Sequence, residues 1–275
     1  MQAFTTRRIL SKSLKHLPGL HLKNIFLRLN RKTIFYNYSY DIIMIFAVQN
    51  QAQMNRMKSY DVPHKGLRNA LSQLSLLAGR TNFSDQQEVE RLYNLGLDVF
   101  KILTIHAADE NAVTLAELEA RFPGSTQHDT DDHEEIHVAQ NILEQLLLKI
   151  KTDADAGNDV TEDGNEFYLA FSEFHGKYLQ HTAEEERITQ LLLWKHFTDE
   201  ELAAHRSKIM ALNPPETLLT WFRFVIPAQS HNESVGLLSG FKKMAPAPFF
   251  NQGMEVIKKV LTISEFEDLK RALLM

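Results

Sequence analysis

The sequence predicts an all-α protein: an up-down four-helix bundle followed by a C-terminal helical extension. Three observations carry this. Glycine and proline are scarce, 11 and 8 of 275 residues, so few positions break a helix or demand a turn. From Tyr60 onward, apolar residues recur every three to four positions in four long blocks, the period of a helix buried along one side. No stretch alternates apolar and polar residues between turn signals as a half-buried strand would. Four such helices joined by short connections pack side by side as antiparallel neighbours.

The chain divides into three parts. Residues 1–58 are basic: up to Tyr60 there are ten Lys or Arg and a single acid, Asp41, which leaves 20 basic and 34 acidic residues for the remainder. In composition the segment resembles a transit peptide, or it is sequence lying ahead of a working start at Met54 or Met57. It is expected to be poorly ordered and carries no assigned function. Its apolar run Ile42–Val48 is too short to span a bilayer, and the charged region before that run is too long for a secretory signal. No membrane span is expected, and the cytoplasm is the expected location. Residues 60–195 hold the four helices and residues 198–275 the extension. The folded part is acidic, so nucleic acid is not an expected partner. There is no cysteine, which excludes disulfides, thiolate catalysis and thiolate-held zinc or iron–sulfur centres. Any metal must sit on His, Asp and Glu.

The first helix opens at Tyr60-Asp61-Val62-Pro63, with proline in its first turn. It carries Leu67, Ala70, Leu71, Leu74 and Ala78 on one side, and ends at Gly79. Ser84-Asp85-Gln86-Gln87 has a capping pattern and starts the second helix, with Val89, Leu92, Leu95, Val99 and Leu103 on a stripe that runs on through Leu118. Pro123-Gly124 stops it. The third begins near Asp129 or Thr130, and Ala139, Ile142, Leu146 and Ile150 continue its apolar face. Asp153–Asn165 reads as a loop, and the fourth helix runs from about Glu166 to Lys195. In the extension, Thr198–Glu201 is a second capping pattern, Leu218–Val225 is strongly apolar, Ala245–Pro248 is a linker, and Ser264–Glu267 caps the last helix.

Ligand-type residues lie on or near these stripes, where a core would normally place leucine. His64 is in the first helix, His106 and Glu110 in the second, His133 and His137 in the third, His181 and Glu185 in the fourth. Each pair is four residues apart, one turn plus about 40°, so its members leave the helix on nearly the same side. Imidazole is the commonest protein ligand for iron, zinc and copper. An HxxxH pair alone is more often two solvated histidines; seven such residues in four helices are a stronger signal.

The order H…HxxxE…HxxxH…HxxxE, with the local string Val62-Pro63-His64-Lys65-Gly66-Leu67-Arg68, resembles the hemerythrin family and its HHE-type members over roughly residues 60–195. The resemblance implies a non-haem centre of two iron ions (Fe2+/Fe3+) bridged by oxide or hydroxide. Glu110 and Glu185 would also bridge them, and the five histidines would be terminal ligands. The oxygen carriers of the family use an aspartate five residues after the last histidine. That position is Glu186 here, whereas Glu185 matches the HHE-type variant. Glu185 is favoured and Glu186 is the fallback. Five nitrogens, four carboxylate oxygens and a bridging oxygen counted twice fill eleven of twelve positions, which leaves one for O2 or another small diatomic. The implied function is binding of that ligand for storage, delivery or sensing. A di-iron enzyme of NO or peroxide detoxification or of iron-centre repair would use the same ligands, although a repair module with an N-terminal cysteine motif is excluded. A metal-free helical scaffold would leave the histidines without a role. Ligating imidazoles must be neutral, so affinity is expected to weaken below about pH 6.

The remaining histidines have plainer expectations. His175 lies about 120° around the helix from His181 and reads as packed beside the site. His128 reads as solvated in the turn before the third helix. Asp109, Asp131, Asp132, Glu134 and Glu184 are candidates to orient ligand histidines, and Phe167, Phe171, Phe174 and Phe197 are candidates for the core or for a dry wall.

Overall fold

The computed structural model describes residues 56–275, and residues 57–275 form one compact unit. Expectations for the basic segment fall outside the described residues, apart from its last three positions. Met57 among these is tied down: the Trp194 indole donates to its carbonyl at 2.7 Å, and Met57 packs with Leu118, Leu193 and Phe197.

Among the described residues the structure is all-helical, with no strand. Helix α1 is Asp61–Arg80, α2 Gln86–Asp109, α3 Leu115–Arg121, α4 Gln127–Asp155, α5 Thr161–Glu184 and α6 Gln190–His196. Two five-residue π turns, Glu110–Thr114 and Glu185–Thr189, join α2 to α3 and α5 to α6 without interrupting the helical path. The predicted second and fourth helices are thus each one long rod with a widened turn inside. The rods are packed cyclically: α1 on α2, α2 on α4, α4 on α5, and α5 back on α1. Their shared core contains Leu67, Leu71, Leu74, Leu92, Ile102, Leu143, Leu147, Phe167 and Phe171, all nearly or fully removed from water.

The stripe of α4 differs from the one read in the sequence. Its buried side passes through Asp129, His133, Ile136, Gln140, Leu143, Leu147 and Ile150, and Ile142 is 61% exposed. Three polar residues, Asp129, His133 and Gln140, lie on the inward side, so the apolar pattern pointed to the wrong angle. Gln140 is tolerated inside because its amide donates to the Phe100 carbonyl at 3.1 Å and to Thr104 Oγ1 at 2.7 Å, which removes the cost of an unpaired buried dipole. The loop before α5 is also shorter than expected. Helix α4 runs to Asp155, Gly157 leaves it at φ +77°, and Val160 is already buried.

Asp85 caps α2, accepting from the backbone N–H groups of Gln87 and Glu88. The extension comprises α7 Asp199–Leu212, α8 Pro215–Val225, α9 His231–Met244, α10 Ala247–Lys258 and α11 Ile263–Ala272. The last helix is capped by Thr262 with Glu265, two residues before the expected cap. Helix α8 packs on α1 and α2, and Asn69 Nδ2 donates to the Phe224 carbonyl at 2.9 Å.

Gly66 is what permits that approach: a Cβ there would stand 2.5 Å from Val225 Cγ2 and 3.1 Å from Val225 Cα. Because backbone as well as side chain is in the way, Gly66→Ala is expected to destabilise the protein by roughly 1–3 kcal/mol, the usual cost of overpacking. Urea denaturation of the two proteins measures it.

Candidate metal centre

Six of the seven expected residues come together. His64, His106, Glu110, His133, His181 and Glu185 are each at most 5% exposed. They arrive from α1, α2 and its π turn, α4, and α5 and its π turn. Their donor atoms form two groups: His64, His106, Glu110 and Glu185 in one, and His133, His181 and Glu185 in the other. Within each group the atoms lie within 4.8 Å of one another, the spacing a single cation can draw together, and Glu185 belongs to both. Glu185 Oε2 lies 3.4 Å from His64 Nε2 and 3.3 Å from His181 Nε2, while its Oε1 lies 3.5 Å from His133 Nε2. Glu110 is placed similarly. Its Oε1 is 3.2 Å from His106 Nε2, and its Oε2 is 3.4 Å from His133 Nε2.

Four of the donor atoms are not satisfied by the others. Glu110 Oε2, His133 Nε2 and both oxygens of Glu185 are buried without a hydrogen-bond partner. Uncompensated buried charge is costly, so such atoms ordinarily pair or coordinate a metal. This donor set, imidazole nitrogens with carboxylate oxygens and no sulfur, suits a divalent transition metal. The residues fit a bound metal.

His137 is not brought in. It is exposed, and its Nε2 faces Asn141 Nδ2 at 3.1 Å. The buried side of α4 is centred about 45° to one side of His133, towards Ile136 and Gln140. Four residues onward add about 40° in the opposite sense, so His137 rotates out to solvent. The fallback Glu186 is also not a donor to the cluster. It takes His64 Nδ1 at 3.1 Å and Arg68 Nη1 at 2.7 Å. His175 is half-buried beside Phe171 and outside the cluster.

Three of the outer ring nitrogens face polar supports, as those of ligand histidines usually do. Besides Glu186 on His64, Asn111 Oδ1 faces His133 Nδ1 at 2.9 Å and Asp132 Oδ2 faces His181 Nδ1 at 3.6 Å. Asp132 was among the expected orienting acids, whereas Asn111 was not anticipated. Asn111 directly follows Glu110 in the π turn. Aromatic rings close the pocket: Tyr60 stacks on His64 at 5.1 Å between centroids, Tyr178 meets His181 edge-on at 5.9 Å, and Trp221 of α8 meets His106 at 6.3 Å. Phe167, Phe171 and Phe174 lie in the core of the long helices instead.

Without a metal the pocket balances its charge with protons. For His133, burial opposes the charged form, but Glu110 and Glu185 outweigh it and push the imidazole up to about 10. His64 is raised to about 9 in the same way, by Glu110 and Glu186 against the effect of burial. His106 faces His64 across 3.1 Å between Nε2 atoms and is driven down to about 3, chiefly by burial. Burial also favours a neutral Glu185, reinforced by the charge of Glu110, whereas the surrounding histidines hold Glu110 well below the usual carboxylate range despite its burial. Proton competition for a metal therefore extends above the pH 6 read from unperturbed histidines.

Two outcomes follow. At pH 8, below both raised values, His64 and His133 each hold a proton that a metal must displace. Metal binding should then release about two protons per chain from these imidazoles, and the release should fall as pH rises through about 9 and then about 10, where His64 and His133 lose their own protons; titration calorimetry in buffers of different ionisation enthalpy measures it. Glu186→Gln should weaken metal affinity by about 10- to 100-fold through the loss of support to His64, and His137→Ala should leave it unchanged. Competition against a chromophoric chelator reads both.

No protein-family model, curated protein or solved structure matches this chain, so its functional assignment rests on the geometry of the buried histidine–glutamate cluster.

Proposed function

We propose that the chain is a hemerythrin-like non-haem di-iron protein that binds O2 or another small diatomic, with residues 60–195 arranged as an up-down four-helix bundle. The observation that carries this reading is Glu185. One buried carboxylate with two unpartnered oxygens is common to both groups of donor atoms, the position of a bridge between two cations. The cyclic packing of the four rods supports the bundle. So do the three connections between them, each five residues long, at residues 81–85, 122–126 and 156–160; connections this short return the chain beside the helix it has just left.

Bound in this pocket, two irons would supply redox-active Lewis-acid sites for the diatomic. The chain's own residues do the rest. Four imidazoles and two carboxylates hold the ions. Glu186, Asn111 and Asp132 fix the orientation of three imidazole rings. Tyr60, Tyr178 and Trp221 exclude water. A set with four histidines and two carboxylates places less negative charge on the metals than the four-carboxylate, two-histidine set of ferritin-like bundles, which favours reversible binding over cleavage of O2.

The position of His137 favours a second reading. Four nitrogens and four carboxylate oxygens provide eight of the twelve positions of two six-coordinate irons, so more than one position is left for exogenous ligands. That is room for turnover of NO or peroxide, or for iron-centre repair. The unpartnered donor atoms weigh against a metal-free scaffold.

Anaerobic reconstitution of the full chain with Fe2+ should give two irons per chain and a visible or near-ultraviolet absorption that changes with O2 and with dithionite. His133→Ala should fall below two irons, and retention of both would place the site elsewhere. Steady consumption of NO or peroxide by the loaded protein selects the enzymatic reading.

A further inference from the structure

A metal ion can reach the buried cluster only past groups that shield it, because every donor there is nearly sealed from solvent. Among the described residues, ligand-type side chains connect the cluster to the surface at one place where charge favours a cation. His128 and Asp132 sit four residues apart on α4, and Glu184 is the last residue of α5. Their donor atoms lie within 4.8 Å of one another. His128 Nε2 is 3.0 Å from Glu184 Oε2 and 3.7 Å from Asp132 Oδ2. The side chains are open to solvent, 55% exposed at His128, 34% at Glu184 and 23% at Asp132. Glu184 keeps Oε2 towards the triad because Gln180 Nε2 donates to its Oε1 at 2.9 Å.

The same Asp132 oxygen also faces Nδ1 of the buried His181 at 3.6 Å, so the triad adjoins the cluster directly. The other polar approaches lack this character. Glu186 touches His64, but the Arg68 guanidinium sits on it at 2.7 Å, and a fixed cation there repels an incoming one. Asn111 touches His133 but is neutral. An imidazole with two carboxylates selects a transition metal over calcium or magnesium. With its remaining positions left to water, such a site binds more weakly than the buried one.

We propose that His128, Asp132 and Glu184 form a second, exposed site for a divalent transition metal, which captures the ion and passes it to the buried cluster. The site stands on its own geometry; the loading role rests on the reading of the buried cluster as a metal centre.

The test uses the metal-free full chain and Co2+, followed by its visible absorption and by equilibrium dialysis, in wild type, His128→Gln and Glu184→Gln. Neither substitution removes a buried donor. Asp132 is left unchanged because it orients His181. The expected result is one weak equivalent of Co2+ lost in both variants, an unchanged number of tightly held ions, and filling of the tight sites at least tenfold slower at sub-stoichiometric metal. An unchanged weak equivalent overturns the exposed site, and unchanged filling rates overturn the loading role. A Glu185→Gln control separates the two failures. If wild type and this variant bind only the same weak equivalent, the buried-centre reading fails and the loading role with it, while loss of that equivalent in His128→Gln upholds the exposed site.

Discussion

The structure is organised around one constraint: six ionisable side chains lie inside a protein core. Removing an ion from water costs several kcal/mol even after the surroundings relax, and the long helices supply mostly leucine, isoleucine and phenylalanine as replacement solvent. Protons moderate the cost in the metal-free pocket. His64 and His133 hold charge opposite Glu110, His106 remains neutral, and Glu185 is biased towards its neutral form. That arrangement still leaves four donor atoms without hydrogen bonds. A cation answers the same electrostatic need with coordination bonds, and the supports on the outer faces of three imidazoles are already in place.

The two halves of the site meet the constraint in the same way. His106–Glu110–Thr114 and His181–Glu185–Thr189 share the pattern H-x3-E-x3-T. In both, the π turn begins at the glutamate and ends at a buried threonine. Its wide hydrogen bond is the same as well, Leu115 N–H to the Glu110 carbonyl and Gln190 N–H to the Glu185 carbonyl. Such turns gather at functional sites because they re-aim side chains that a regular helix would send elsewhere. Each half also takes one further histidine from the helix before it, His64 or His133.

Much of this was legible in the residues. The period of α1 and α2 gave their inward sides correctly, since apolar side chains occupy most of the buried positions. The HxxxE pairs point inward because both members lie on the buried sides of their own rods. Helix α4 misled because Asp129, His133 and Gln140 occupy its inward side while Val138 and Ile142 face solvent. Periodicity follows hydrophobicity and cannot register a buried glutamine satisfied by a carbonyl from a neighbouring helix. His137 entered the ligand set by a different route, through its four-residue spacing from His133 and the HxxxH pattern. The π turns were invisible to periodicity read at one fixed pitch, although the repeated H-x3-E-x3-T pattern was a signal available for them. Asn111 escaped notice, and Glu186 stood only as a fallback bridging ligand, because the histidines they face lie on other helices. The contribution of α8 was equally hidden: Trp221 reaches His106 only through the contact that Gly66 permits.

The widened turns also make the residue count part of the site. Each accommodates one amino acid more than a regular turn of the same rise, so Leu115 and Leu118 on one rod, and Leu193 on the other, are phased from a shifted origin. Losing a single amino acid from 110–114 would let that rod close to an ordinary turn of nearly the same rise, so Leu118 would keep its place against Leu193 and Phe197 while the local backbone path around Glu110 changed. The same loss from a regular stretch of either rod would swing everything beyond it by about 100°. The widened turns confine the irregularity to the site and leave the packing beyond it in register.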